Sequence, residues 1–170
     1  MSAPLRFEGR VWLAGDDINT DLILPIQAFY LPPEEQAKHV FAANRPGWAA
    51  QVRPGDILVG GRNFGMGSSR PAARSLKNLG IACLVAQSIN GLFFRNCVNF
   101  ALPAMACPGL ADMFAEGDTA VVDFERASVR NATRGQSVEA IALPAALLAL
   151  VAAGGVFPML EREGAIAPVR

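Results

Sequence analysis

The sequence predicts an α/β domain built on a mixed sheet, and three observations carry that reading. Between residues 56 and 106 short apolar runs alternate with helical patterns, strand–helix–strand–helix–strand, which calls for parallel strands joined by right-handed crossovers. Residues 119–141 instead hold short β-rich segments separated by turns, the pattern of an antiparallel meander. Apolar residues make up 52% of the 170 and charged residues 18%, a composition that folds around a core and excludes a disordered chain. No repeat or low-complexity linker divides the sequence, so residues 1–170 read as one domain.

The elements follow in order. Residues 9–14 form the first expected strand, which runs into the polar turn Asp16-Asp17-Ile18-Asn19-Thr20-Asp21, rich in Asx residues that bond their own backbone. Residues 22–24 are a short apolar run stopped by Pro25. Pro32-Pro33-Glu34-Glu35 opens a helix with prolines and acids where a helix start favours them, and the pattern carries it to residues 41–44. Residues 56–60 are a strand, and 71–80 a helix with Pro71 near its first turn and Gly80 at its end. Residues 81–86 are continuously apolar, as in a strand buried on both faces. A helix over 89–99 and a strand over 102–106 complete the parallel half. The meander is expected at 119–124, 127–131 and 137–141, with Thr133-Arg134-Gly135 as one turn. A last apolar helix spans 144–153 and stops at Gly154-Gly155.

Bulk properties exclude several functions. Fifteen basic and fifteen acidic residues cancel, so the chain lacks the basic footprint of a nucleic-acid binder, and one Tyr with two Trp offers no stacking platform. The first residues have no apolar core of a signal peptide. Residues 140–159 are apolar but broken by Pro144, Gly154, Gly155 and Pro158, so no membrane span is expected and the address is cytoplasmic. Cys83, Cys97 and Cys107 sit in apolar surroundings without a CxxC pair, and the single His39 cannot complete a metal site with them. They read as buried free thiols, and no metal is expected on this chain.

The chemistry concentrates in Gly60-Gly61-Arg62-Asn63-Phe64-Gly65-Met66-Gly67-Ser68-Ser69-Arg70, between a strand and a helix start. Such a turn turns backbone N–H groups and the positive end of a helix dipole toward an anion. A P-loop needs Lys after the last glycine, and Ser68 stands there instead. A dinucleotide fingerprint needs a small residue at the position of Arg70. A hydrolase elbow needs glycine two residues after the serine, which neither Ser68 nor Ser69 has. Simple helix capping uses one hydroxyl and one glycine, leaving Asn63, the second serine and Arg70 without a reason. The acids at 16–21 lack the offsets of an EF-hand.

Taken together, Asp17-Ile18-Asn19-Thr20-Asp21-Leu22-Ile23-Leu24-Pro25 and Asn63-Phe64-Gly65-Met66-Gly67-Ser68-Ser69-Arg70 resemble one family, the aconitase-superfamily swivel domain in its stand-alone form as a dehydratase small subunit. Ala37-Lys38-His39-Val40-Phe41, the segment from Ser88 to Phe100, and Ala153-Gly154-Gly155 extend the resemblance over residues 8–158. It implies a swivelling β/β/α domain and a partner, a large subunit in a heterodimer or heterotetramer, which holds a [4Fe-4S] cluster while this chain holds none. It implies a hydro-lyase acting on a 2-hydroxy diacid, with Ser68 as the base and Ser69 and Arg70 gripping a substrate carboxylate. Asp21, Thr20 and Asn63 would line the same site. The sequence departs from the usual pattern in two places: Met66 stands where Cys or Glu is common, and Pro71-Ala72-Ala73 replaces Glu-His-Ala.

Substrate choice in such proteins lies in the loop holding Tyr30, Leu31 and Pro32. Pro32 stands where an Arg would suit a second distal carboxylate, so an alkyl-substituted malate fits better, as in isopropylmalate dehydration within leucine biosynthesis. The resemblance also admits a dimethylmalate dehydratase, a homoaconitase small subunit, or a non-catalytic carboxylate-binding module.

Overall fold

The computed structural model describes residues 4–67 and 70–168. Ser68 and Ser69 therefore lie outside the described residues, and the expectations placed on them are carried as such.

A seven-stranded sheet runs in the order β4-β3-β2-β1-β5-β6-β7. Its strands are β1 (Arg6–Leu13), β2 (Ile57–Gly60), β3 (Cys83–Ala86), β4 (Ala104–Ala106), β5 (Thr119–Asp123), β6 (Ser128–Asn131) and β7 (Gln136–Glu139). The first four are parallel neighbours and the last three form the expected antiparallel meander. β1 is the seam. Its first half pairs antiparallel with β5, Arg6 opposite Asp123, and its second half pairs parallel with β2, Val11 opposite Ile57.

The period-two alternation of strands sorts side chains into two cores. Trp12, Leu58 and Leu84 face one cluster with Ile23, Leu24, Trp48, Phe64, Leu76 and Phe93. Val11, Ile57, Val59, Cys83 and Val85 face the other, together with Val122, Phe124 and Val129 from the meander. Strands from both ends of the order meet in that second cluster, which requires the sheet to curl. β2 and β3 are buried at every position, which is why their sequences are continuously apolar.

The helices are α1 (Thr20–Ile23), α2 (Pro33–Lys38), α3 (Ala72–Leu79), α4 (Gly91–Asn99), α5 (Ala145–Ala152) and α6 (Val156–Arg162). Residues 22–24 are thus not a plain apolar run: they belong to a helical turn capped by Asn19, whose side chain accepts the Leu22 N–H at 2.8 Å. α2 ends at Lys38 rather than at 41–44, because Phe41 takes a left-handed backbone (φ 57°) that a helix cannot continue through. Gly154 and Gly155 end α5 as expected, but α6 follows them at once, where the sequence reading has no further element. Gly155 is its N-cap, and Pro158 sits in its first turn, where proline lacks only a dispensable N–H. No single helix among the described residues is long and apolar enough to cross a membrane.

Candidate active site

Two loops leave the C-terminal ends of adjacent parallel strands and lie side by side: residues 14–19 after β1 and residues 61–67 after β2. This is where α/β sheets place their ligands. Backbone bonds zip the loops together. Gly61 N–H donates to Gly15 O at 3.2 Å, Asp17 N–H to Arg62 O at 2.8 Å, Gly65 N–H to Ile18 O at 2.7 Å, and Thr20 N–H to Met66 O at 2.9 Å. The two motifs that the sequence places 46 residues apart, Asp17 to Asn63, thus form one surface.

The glycines of the turn answer to close approach as well as to conformation. A Cβ on Gly61 would fall 2.1 Å from Asp16 Oδ1, and one on Gly65 would fall 2.2 Å from the Phe93 ring. Gly65 and Gly67 also have φ of +81° and +110°, open to glycine and strained for other residues. Gly67 passes over Thr20, whose Oγ1 would lie 3.3 Å from an added Cβ. Thr20 itself is buried, so the structure places it beneath the turn. The N-cap of α3 is Pro71, with no side-chain hydrogen bond.

Arg70 and Asp21 come together. Arg70 Nε lies 2.7 Å from Asp21 Oδ1, with the arginine side chain 16% exposed and the aspartate 62%. Arg70 Nη1 also donates to Leu24 O at 3.2 Å. The guanidinium is thereby fixed from two sides of the α1 turn while the carboxylate remains in solvent. Asn63 donates from Nδ2 to Asp17 Oδ1 and to Met66 Sδ, both at 3.2 Å. At the rim Arg62 pairs with Asp16 at 2.8 Å, and the Arg62 N–H and guanidinium hold the Asp16 carboxyl below the usual range.

The loop with Tyr30, Leu31 and Pro32 joins α1 to α2. Tyr30 is 84% exposed, packed edge-on against Phe29 at 5.1 Å between ring centres. Leu31 leans on the core, and Pro32 is the exposed N-cap of α2. Sequence reasoning missed what fastens this loop. Buried Gln36 donates to Phe29 O at 2.9 Å and accepts from Arg74 Nη2 at 3.1 Å, tying the loop to α3. It missed Ser88 as well, whose Oγ accepts the Asn63 N–H at 2.7 Å and whose carbonyl accepts the Phe64 N–H at 3.0 Å. The signal was present for Gln36, a polar residue on the apolar side of a short helix, and absent for Ser88, whose partner is a distant backbone.

The three cysteines are buried and free. Burial pushes the Cys83, Cys97 and Cys107 thiols up. Among the described residues no three His, Cys, Asp or Glu side chains gather as a metal site.

Residues 28–108, just under half of the chain, match the aconitase C-terminal domain, and with the relatives that follow this makes the chain part of an aconitase-type hydro-lyase. The chain is 44% identical over 160 residues to 3-isopropylmalate dehydratase small subunit 1 of Methanopyrus kandleri, covering 92% of this chain and 93% of that one. It is 40% identical over 158 residues to the isopropylmalate/citramalate isomerase small subunit of Methanocaldococcus jannaschii, covering 92% and 94%. A solved structure from the same archaeon, described as 3-isopropylmalate dehydratase, superposes with a TM-score of 0.88 at 28% identity over 94% of this chain and 96% of that one. The chain belongs to the 3-isopropylmalate dehydratase small-subunit family.

Proposed function

We propose that this chain, as one domain over residues 1–170, is the carboxylate-gripping half of a divided dehydratase site, acting on 3-isopropylmalate in the cytoplasm with a large subunit. The observation that supports this most is the junction of the two motifs, with Arg70 held by Asp21 and Leu24 at the mouth of the glycine turn. A fixed, forked cation is suited to bidentate capture of a substrate carboxylate, and Asp21, being solvated, can give way to it. Ser68 and Ser69 follow Gly67 directly in sequence; Ser68 would exchange the proton on carbon and Ser69 would bind the same carboxylate. A serine alkoxide is a poor ground state, and a neighbouring guanidinium lowers the cost of forming it transiently. The iron–sulfur cluster that the family resemblance assigns to the large subunit would supply Lewis acidity for the departing hydroxyl.

Reconstitution with the large subunit under anaerobic conditions tests the reading, with formation of the conjugated alkene followed by ultraviolet absorbance over a panel of 2-hydroxy diacids. Turnover of 3-isopropylmalate is expected; failure of every diacid would refute the enzyme role. A second substrate, citramalate, is favoured by the dual name of the Methanocaldococcus jannaschii relative. Exposed Pro32 adds no charge that would select against a short methyl substituent. The same panel separates the two.

A further inference from the structure

The surroundings of Asn63 fix the orientation of its carboxamide. Nδ2 lies 3.2 Å from Asp17 Oδ1 and 3.2 Å from Met66 Sδ. A carboxylate and a thioether only accept, so the amide can meet both with its NH2 group and in no other orientation. Both N–H bonds are then committed, and Oδ1 is what the side chain has left to offer. The backbone is held in the same way. Asp17 and Asn63 both take left-handed conformations, φ 53° and 54°, which Asp and Asn tolerate when their surroundings enforce them. The Asn63 N–H is bound by Ser88 Oγ and the Asp17 N–H by Arg62 O.

We propose that Asn63 serves the site as a hydrogen-bond acceptor for a hydroxyl group, with Asp17 and Met66 as its positioning residues. The proposal rests on the dehydratase reading above and gives a specific role to Asn63, which the family resemblance expects only to line the substrate site. An amide presenting NH2 binds a carboxylate; one presenting its oxygen repels it and accepts from a hydroxyl. The hydroxyl on the substrate's C2 meets that chemistry. Met66 gains a reason at a position where the family pattern often has Cys or Glu. A thioether accepts without adding a second negative charge beside Asp17.

Two measurements test this. In the isolated 15N-labelled chain, solvent exchange of the Asn63 side-chain protons is followed by NMR in the wild type and in Met66→Leu, a swap that conserves volume. Loss of one acceptor is expected to speed exchange by about fivefold; an unchanged rate overturns the positioning. In the assembled enzyme, Asn63→Gly, which keeps the backbone unstrained, is assayed on the hydroxy diacid and on the alkene. A rise of about tenfold in KM for the hydroxy diacid alone identifies the substrate hydroxyl as partner. A fall in kcat in both directions at constant KM overturns that partner. An equal rise in KM for both compounds, which share their carboxylates, or no change at all, overturns the acceptor role. Absence of turnover by the unsubstituted enzyme would refute the dehydratase reading instead, and the exchange rate would still read the positioning by itself.

Discussion

Arg70 and Asp21 meet at 2.7 Å across the junction of the two loops, yet one side chain is 16% exposed and the other 62%. That asymmetry gives the pair its meaning. A pair so open to water adds little to stability, because solvent and lost side-chain entropy offset the attraction. Its effect is to aim the guanidinium, which also donates to Leu24 O.

Arg70→Lys keeps the charge but loses the planar fork, and kcat/KM is expected to fall about 10²-fold in the assembled enzyme. Asp21→Asn should raise KM by a few-fold at most while thermal stability stays within about 0.5 kcal/mol of wild type. Steady-state kinetics and thermal melts check both. Equal damage from the two variants would contradict the division of roles.

Gly65 and Gly67 are both left-handed, but they fail differently when substituted. Gly65→Ala would push a methyl into the Phe93 ring, against a buried α4 side chain, and is expected to cost about 2–4 kcal/mol. For Gly67→Ala the tightest contact among the described residues is Thr20 Oγ1 at 3.3 Å, so its stability loss is expected to be about 1–2 kcal/mol, from backbone strain. Because Gly67 immediately precedes the proposed base, its activity loss should exceed its stability loss. Chemical denaturation alongside kinetics separates the two positions.

Much of the parallel half was legible because β2 and β3 are buried on both faces and read as unbroken apolar runs, with proline and glycine marking the ends of α3. The meander was legible from its turns. What the sequence could not show was long-range pairing. Nothing local says that Gly65 must leave room for Phe93, or that Asn63 leans on Ser88, because those constraints arise where separate segments touch. The turn at 20–23 was hidden because four residues are too few to show a helical period, although Asn19 as N-cap was a usable sign. α6 was masked by Pro158, read as a breaker when its position in a first turn made it harmless.

Asp56 anchors the first strand from below. It accepts from Arg10 Nη2 at 2.6 Å, from Trp12 Nε1 at 2.7 Å and from the Arg53 N–H at 2.9 Å. Burial by itself raises the Asp56 carboxyl, but Arg10, Arg53 and Trp12 outweigh it and the net shift is downward. A carboxyl depressed in the folded state stabilises fully above its unfolded value, about pH 3.9, and loses that contribution as pH falls through the lower folded value. Glu116 moves in the same direction, first through its bond from Arg45. Stability is therefore expected to fall on acidification below about pH 4. Asp56→Asn should cost about 2–4 kcal/mol at neutral pH, since it weakens the ion pair and unsettles the buried Trp12 donor, and should flatten the acid limb. Urea denaturation across the pH range checks this; an unchanged acid limb would contradict it.

The central claim is that this chain carries the proton-transferring serine of a shared site. Ser68→Ala, assembled with the large subunit and loaded with its cluster, tests it most directly. Turnover of 3-isopropylmalate is expected to fall about 10³-fold or more with assembly and substrate affinity retained. Turnover at the wild-type rate would contradict the account.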